Sequence, residues 1–205
     1  MDCSDPASEA ANNEAGFGVK RKPRILLAAT GSVAAVKFSL LCHCFIEWAE
    51  VRAVVTQSSL RFFDALSVPK DVFVYYDEHE QHSWKKEGDF VLHIEICKWA
   101  EIMVIAPLSA NTLAKIAGGV CDNLVTCIVQ SWDYKRPLFV APSMNTFMWE
   151  NPFTQRHCTC LGQLGISLIP PVAQRKSEEE YANGAMAEPS NISLTVKNCW
   201  RKSSI

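Results

Sequence analysis

The sequence predicts a three-layer α/β fold, in which helices cover both faces of a parallel β-sheet. Two observations on the 205-residue chain indicate this fold. Apolar runs of strand length alternate with stretches of helical spacing along the chain, and no internal repeat is visible. Some of these runs, such as residues 102–106, are continuously apolar, which is typical of strands buried on both faces of a parallel sheet.

Six apolar runs predict the strands. Each is followed by Gly, Pro or a polar residue, which favours a turn at that point. In chain order, the predicted strands cover residues 24–30, 51–56, 72–76, 102–106, 138–141 and 166–169. The short run 72–76 fits a strand at the edge of the sheet.

Seven stretches predict helices between or after these strands. The first carries an apolar stripe of Val33, Val36, Leu40, Cys44 and Trp48. The predicted helices cover residues 33–48, 58–66, 91–100, 109–117, 122–132, 154–164 and 190–200. The apolar residues of 91–100 would also fit a strand, and Asp122 is the expected cap of the fifth helix. Residues 77–89 and 175–188 are polar and aperiodic, so we expect an exposed connection and a loop there.

Composition excludes several classes of function. Apolar residues make up 48% and charged residues 20%, as in an ordinary globular domain. Residues 1–22 lack apolar periodicity, so we expect a disordered tail there and one domain over residues 23–205. The net charge of −2 does not favour nucleic-acid binding, and no apolar run has the length of a membrane span. Because the N-terminus is acidic and polar rather than signal-like, we expect a cytoplasmic protein.

The nine cysteines do not form a recognisable framework. Their odd number and irregular spacing argue against a set of disulfides. The C-x-C pairs Cys42 with Cys44 and Cys158 with Cys160 would point in different directions on a helix, so they are poor joint metal ligands. We expect reduced, structural thiols and no metal site.

A strand-to-helix turn at Gly31, Ser32 and Val33 is a candidate phosphate site. Free amides at a helix N-terminus bind phosphate, helped by the helix dipole and by a hydroxyl such as that of Ser32. Neither a G-x-G-x-x-G fingerprint nor a Walker motif occurs, so a mononucleotide is favoured over a dinucleotide or ATP. The alternative is that Ser32 only caps the helix.

Polar clusters also follow three other predicted strands. They are Thr56, Gln57 and Ser58 after the second strand, and Ser109, Ala110, Asn111 and Thr112 after the fourth. Residues 142–149 follow the fifth, where the Asn145 amide would offer a donor and an acceptor together. Because the carboxyl ends of parallel strands share one edge of the sheet, these clusters predict a single ligand crevice. Each cluster alone would be an ordinary helix cap.

The pattern Pro-x-Met-Asn-x-x-Met-Trp at residues 142–149 resembles that of the phosphopantothenoylcysteine decarboxylases, which include the plant halotolerance flavoproteins. The resemblance covers roughly residues 22–200, and residues 31–35, 91–95, 106–112, 142–149 and 183–188 carry it. It implies a Rossmann-like (flavodoxin-like) fold and an FMN-binding homotrimer with active sites between subunits. The implied reaction is decarboxylation of 4'-phosphopantothenoylcysteine to 4'-phosphopantetheine in coenzyme A biosynthesis.

The resemblance also implies roles for individual residues. The FMN contacts would be Gly31, Ser32, Val33, Thr56, Gln57, Ser58, Ser109, Ala110, Asn111, Thr112 and Ser143. His93 would be the catalytic proton acceptor, since imidazole is suited to proton transfer near neutral pH. Asn145 would hold the substrate carboxylate, and Arg175, Ser177 and Met186 would contact the substrate from a flap.

The flap departs from the family pattern. The family carries Cys-Gly-Asp where this chain has Glu178, Glu179 and Glu180, so that Glu178 replaces the proton-donating cysteine. Ser177 also stands where the family usually has Ala. We therefore expect oxidation and decarboxylation, with impairment of the final reduction and protonation.

The flap leaves several alternatives open. Glu178 could donate a proton itself if burial raised its pKa, or a mixed trimer with an intact relative could supply a cysteine. The chain could instead be a catalytically weakened, FMN-binding regulatory subunit that acts in salt tolerance or phosphatase modulation. A decarboxylase of peptide C-terminal cysteine would share His93 and the asparagine motif, although Arg175 favours the smaller phosphorylated substrate.

Overall fold

A six-stranded parallel sheet forms the centre of the computed structural model, which describes residues 21–175 and 181–203. Its strands are β1 (Arg24–Ala29), β2 (Glu50–Val55), β3 (Phe73–Tyr75), β4 (Ile102–Leu108), β5 (Leu138–Pro142) and β6 (Ser167–Leu168). They lie in the order β3-β2-β1-β4-β5-β6, and every neighbouring pair is parallel. All six predicted strands are present, and the three-layer α/β fold is confirmed.

Helices connect the strands and cover both faces of the sheet. They are α1 (Phe38–Ile46), α2 (Asp77–Ser83), α3 (Leu92–Trp99), α4 (Ala110–Ala117), α5 (Leu124–Gln130), α6 (Thr146–Trp149), α7 (Pro152–Gln163) and α8 (Pro189–Ser203). Short 3₁₀ helices cover Val33–Lys37, Ser59–Arg61 and Ala65–Ser67, so the predicted helix over residues 58–66 is two separate turns. Residues 91–100, which would also have fitted a strand, form a helix.

The central strand β1 divides the core into two halves. Ile25 and Leu27 pack with α1 and α8 on one face of the sheet, while Leu26 and Ala28 pack with α3, α4, α5 and α7 on the other. Side chains alternate between faces along a strand, and all four of these are fully buried. Burial on both sides explains why the strand is continuously apolar. We call these halves the α1/α8 face and the α3/α5 face.

The first helix buries a different set of residues from the predicted apolar stripe. Val33, Val36 and Leu40 are 68%, 57% and 55% exposed, whereas Phe38 and Leu41 are fully buried. The segment begins as a 3₁₀ helix, which has three residues per turn rather than 3.6, so the phase assumed for a single α-helix is wrong.

Two segments predicted to lack regular structure contain elements. Residues 77–83 form α2, whose first turn is acidic and therefore complements the helix dipole. Val172–Arg175 and Tyr181–Ala185 pair as the antiparallel strands β7 and β8. The predicted loop over residues 175–188 is therefore wrong at residues 175 and 181–185 and correct at residues 186–188, while residues 176–180 lie outside the described part of the chain. The cap of α5 is Asn123 rather than Asp122, whose carboxylate binds Lys115 instead.

Candidate functional site

A cavity of about 520 Å³ lies where β1 and β5 end, between the segment that enters α1 and the β7–β8 hairpin. Its lining includes Ser32, Val33, Ser143, Asn145 and Met186, all of which were predicted to be site residues. Its volume falls within the range of small-molecule sites. Met186 belongs to the core of the α1/α8 face, so the cavity is on that side of the sheet.

Ser32 joins two strand ends at the predicted phosphate turn. Its hydroxyl accepts a weak hydrogen bond from Ala34 N at 3.4 Å and donates to Ser143 Oγ at 3.0 Å. The first contact caps the 3₁₀ helix, and the second fixes the turn after β1 to the turn after β5. The capping and ligand interpretations of Ser32 are therefore compatible.

Gly31 allows the turns after β1 and β2 to meet. A Cβ at this position would lie 2.5 Å from Ser58 Oγ and 2.8 Å from Ser58 Cβ, so a larger residue would displace Ser58. Ser58 is in turn hydrogen-bonded to Thr56 through their side-chain oxygens, which are 3.0 Å apart. Three of the predicted flavin-binding segments, around positions 31, 58 and 143, thus form one continuous rim, and Gln57 is exposed beside it.

Thr30 connects the remaining predicted cluster, residues 109–112, to the same rim. The Thr30 hydroxyl donates to Pro107 O and accepts from Ser109 N, both at 2.8 Å. Ser109 Oγ accepts from Thr112 N at 3.2 Å and so caps α4. Because Ser109 and Thr112 are buried and engaged with each other, the exposed Asn111 side chain is the polar group of this cluster available to a ligand. Ala110 is half-buried.

The side-chain oxygen of Asn145 is engaged within the chain, while its side-chain nitrogen is available to a ligand. Its Oδ1 accepts a hydrogen bond from Met148 N at 2.8 Å and caps the short helix α6. That contact fixes the orientation of the amide and leaves Nδ2 as its ligand-facing group, because the described residues provide no hydrogen-bond partner for Nδ2. An amide fixed in this way favours an anionic acceptor such as a carboxylate.

The β7–β8 hairpin sits directly on the Asn145 segment. Met144 N donates to Gly184 O at 3.0 Å, and Thr146 Oγ1 donates to Asn183 O at 3.1 Å. Gly184 has φ +97°, and a Cβ there would lie 2.7 Å from Met144 O. Arg175 ends β7, while Ser177 and Glu178 lie outside the described residues.

An ion pair that sequence reasoning missed also borders the cavity. Lys37 Nζ lies 2.7 Å from Glu188 Oε1, and both residues line the cavity wall. Lys37 was predicted only as part of a helix, and no local motif distinguishes it from other surface lysines. The pair places a cation beside the phosphate turn.

His93 lies apart from this cavity. It is half-buried in the first turn of α3, which packs on the α3/α5 face, and it is not part of the cavity lining. Its Nδ1 lies 2.7 Å from Glu80 Oε1, and its backbone N donates to Glu80 Oε2 at 3.0 Å. Within one chain, the structure therefore brings the predicted flavin residues together with Asn145 but leaves His93 on the other face of the sheet.

Glu80 is another site-related residue that the sequence reasoning missed. It was assigned to an exposed connection because the charged segment showed no apolar period. The acidic residues Asp77, Glu78 and Glu80 were the available signal, since acids concentrate in the first turn of a helix.

The described cysteines are consistent with structural thiols. None of them forms a disulfide. Burial raises the pKa of Cys42 to about 12 and that of Cys97 to about 11, which keeps both protonated. Cys121, by contrast, is exposed. In the part of the chain that the structure describes, no helix has the length and apolar character needed to cross a membrane.

The fold and the rim define an α/β protein with a mononucleotide-type site at the carboxyl edge of its sheet. A family model described as Flavoprotein matches residues 17–200, and the chain belongs to this family. Among curated relatives, it is 64% identical over 194 residues to phosphopantothenoylcysteine decarboxylase HAL3a of Glycine max, covering 95% of this chain and 92% of that protein. It is 66% identical over 180 residues to phosphopantothenoylcysteine decarboxylase of Arabidopsis thaliana, covering 88% and 86%.

The chain is also similar to solved structures. A cysteine-to-serine mutant of PPC decarboxylase, complexed with pantothenoylaminoethenethiol, superposes with a TM-score of 0.85 at 66% identity, covering 88% of this chain and 100% of that one. The FMN binding protein AtHal3 gives the same TM-score at 65% identity, covering 89% and 98%. These similarities agree with the family resemblance carried by residues 31–35 and 142–149.

Proposed function

We propose that this protein is an FMN-dependent decarboxylase of 4'-phosphopantothenoylcysteine that acts in coenzyme A biosynthesis. The observation that carries the proposal is the single rim that joins Ser32, Ser143 and Asn145 around a cavity of about 520 Å³. The likeness to relatives that are phosphopantothenoylcysteine decarboxylases supports the choice of substrate.

The residues of the rim fit the FMN group. The turn at Gly31 to Val33 would hold the phosphate through backbone amides and the Ser32 hydroxyl. Glycine is favoured at position 31, because a Cβ there would displace the Ser58 side chain. Asn111 and Ser143 would contact the rest of the cofactor. When bound, FMN would supply a two-electron acceptor for the cysteine side chain of the substrate and a donor for the decarboxylated product.

Asn145 and His93 would act on the substrate itself. The Asn145 Nδ2 group would donate to the substrate carboxylate and hold it in one orientation until it leaves as carbon dioxide. His93 would accept the thiol proton as the cysteine side chain is oxidised. A thioaldehyde formed there is β to the carboxylate and can take up the electron pair of the breaking carbon–carbon bond.

We further propose that the active site is shared between the subunits of a homotrimer. The cavity opens on the α1/α8 face and His93 lies on the α3/α5 face, so one chain does not place both groups at one substrate. A neighbouring chain would supply His93 to each cavity. The exposed apolar residues Val33, Val36 and Leu40 beside the cavity are suited to an interface between copies.

The flap residue Glu178 would limit the last step. Reduction of the enethiol product requires a proton donor, and Glu178 replaces the cysteine that serves this role in the family. We expect the purified protein, incubated with 4'-phosphopantothenoylcysteine, to release carbon dioxide and accumulate the unsaturated enethiol, with little 4'-phosphopantetheine. Mass spectrometry distinguishes the two products by two hydrogens.

The Glu178→Cys variant tests this assignment. We expect it to increase the rate of 4'-phosphopantetheine formation by about 100-fold, the lower end of the range for a positioned proton donor. Glu179→Cys is the matched control, because it adds the same thiol one position away. Efficient production of 4'-phosphopantetheine by the unmodified protein would contradict the flap argument alone. A protein that binds no FMN and releases no carbon dioxide would contradict the proposed function.

The sequence of the flap also favours a second candidate function, a weakened subunit that works in a mixed trimer with an intact relative. Such a relative would contribute a flap cysteine to sites that contain His93 and Asn145 of this chain. Co-expression with a cysteine-containing relative should then restore 4'-phosphopantetheine formation, and both chains should elute together. Separate elution of two homotrimers would exclude the mixed assembly.

A further inference from the structure

Helix α2 is attached to the start of two other helices by its own carboxylates. Asp77 Oδ1 accepts a hydrogen bond from Leu124 N, the first residue of α5, at 2.8 Å. Glu80 Oε2 accepts from His93 N in the first turn of α3 at 3.0 Å. The residue that precedes α3, Val91, provides no capping side chain, so Glu80 supplies this cap from a different helix.

The second oxygen of Glu80 holds the imidazole ring of His93. Oε1 lies 2.7 Å from Nδ1, and the two side chains are only 22% and 27% exposed. An ionised carboxylate can only accept hydrogen bonds, so Nδ1 must carry the hydrogen. In the neutral ring, Nε2 is then the unprotonated nitrogen. One carboxylate thus contacts both the ring of His93, through Oε1, and the backbone N of His93, through Oε2. The position of the ring is therefore fixed relative to the backbone of α3.

This contact is specific to His93 among the described histidines. His43 Nδ1 contacts Ser39 O at 2.9 Å and His82 Nδ1 contacts Glu78 O at 2.6 Å, which are ordinary contacts with backbone carbonyls. The His79 ring accepts from Tyr76 N and caps α2. In the ion pairs and hydrogen bonds of the described residues, only the His93 ring meets a carboxylate.

We propose that Glu80 is a positioning residue that holds His93 in the Nδ1–H tautomer and keeps Nε2 available as the base. The proposal rests on the proposed function, in which His93 accepts the thiol proton of the substrate. In that step the sulfur–hydrogen bond breaks, a nitrogen–hydrogen bond forms at Nε2, and the electron pair stays on sulfur. Glu80 remains a carboxylate and stabilises the imidazolium that results.

A purely structural role would make different predictions from a positioning role. If Glu80 only attached α2, Asp77→Ala and Glu80→Ala should have similar effects, since each removes one bond to a helix start. If Glu80 also orients His93, only its substitution should change the state of the ring. Glu80→Gln retains one carbonyl oxygen and cannot accept at both positions, so its effect should be intermediate.

The tautomer can be measured on the FMN-loaded protein by ¹⁵N NMR after selective labelling of histidine. His93→Gln identifies the signals of His93. We expect the unmodified protein to show a protonated Nδ1 and an unprotonated Nε2, and Asp77→Ala to retain this pattern. In Glu80→Ala we expect a mixture of tautomers. An unchanged pattern in Glu80→Ala would overturn the proposal, whether or not the protein turns over substrate.

Kinetics provide the second measurement. We expect Glu80→Ala to lower kcat for carbon dioxide release by about 10- to 100-fold, part of the loss typical for a general base, with KM and the visible FMN spectrum nearly unchanged. Glu80→Gln should retain more activity than Glu80→Ala, and Asp77→Ala should have normal kcat. Equal losses in Asp77→Ala and Glu80→Ala would indicate a structural role only. Normal turnover by His93→Gln would instead contradict the proposed function.

Discussion

The cavity rim and the α2–α3 corner are built in different ways. The rim depends on contacts between residues far apart in sequence, such as Ser32 with Ser143, which are 111 positions apart. The corner depends on Glu80 and His93, which are 13 positions apart and lie on neighbouring helices. The residues proposed to bind ligand are therefore positioned by the global fold, while the residue proposed to transfer a proton is positioned by a local contact. The two regions lie on opposite faces of the sheet, so each chain would carry two half-sites.

The strongest test of this comparison combines two inactive variants. Asn145→Asp keeps an oxygen that can cap α6 but replaces the Nδ2 donor with a negative charge, which should lower kcat/KM by about 100-fold or more. His93→Gln should lower turnover by about 100- to 10,000-fold. Co-expressed with different tags and isolated as mixed trimers, the two variants should regain up to about a third of normal activity if the sites are shared, because one of the three sites then combines an intact His93 with an intact Asn145.

Each variant purified alone serves as the control for the mixture. Both should retain the yellow FMN spectrum, because neither removes a group proposed to hold the phosphate. Mixed assemblies that stay as inactive as the parent variants would show that His93 and Asn145 of the same chain serve one site. That result would contradict the division into half-sites.

The buried parts of the fold were the most predictable from sequence. Strands such as β1 and β4 are buried on both faces, and continuous apolar runs identify them without knowledge of their neighbours. The phase of the first helix was not predictable, because its 3₁₀ start is not visible in an apolar period. Residues 181–185 (Tyr-Ala-Asn-Gly-Ala) contain no run of β-branched residues, so strand β8 depends on pairing with β7 and on its contact with Met144.

The candidate site also has a part that the sequence predicts and a part that it does not. Ser32, Ser143 and Asn145 follow predicted strands, and parallel topology alone brings such positions to one edge of the sheet. Glu80 follows no strand, and its partner His93 comes from another helix. Sequence spacing does not reveal that two helices meet at these residues, so the contact between Glu80 and His93 could not be predicted from the sequence. The same reasoning explains why Lys37 and Glu188 were missed.

A second prediction concerns how the hairpin is attached to the rim. Gly184→Ala places a Cβ at φ +97° and 2.7 Å from Met144 O, a backbone atom that cannot move freely. We expect a loss of about 1–3 kcal/mol in the free energy of unfolding and a severalfold rise in substrate KM, because the Asn145 segment would shift. Thermal unfolding and steady-state kinetics measure the two effects.

Gly165→Ala is the matched control for this substitution. Gly165 has φ +83°, but nothing lies within 4 Å of its would-be Cβ. It should therefore show the backbone penalty of about 1 kcal/mol without any change in KM. If Gly184→Ala and Gly165→Ala behave alike, the contact between hairpin and rim contributes little to the site.

The smallest effect should come from a substitution of Glu101. This residue directly precedes β4, so it lies at the amino edge of the sheet, opposite the edge that carries the cavity. A hydrogen bond from the Arg21 guanidinium, 2.6 Å from Oε1, holds the pKa of the Glu101 carboxyl below its usual value. Its stabilising effect is therefore present above the unfolded-state pKa and is lost as the pH falls through the folded-state pKa. Glu101→Gln should lower the urea midpoint slightly at pH 7, by less than Gly165→Ala, and this effect should shrink as the pH falls through the folded-state pKa of Glu101. The turnover of the protein should be unchanged, because Glu101 is in contact with neither the cavity rim nor the α2–α3 corner. A loss of activity would show that the amino edge of the sheet influences the proposed site.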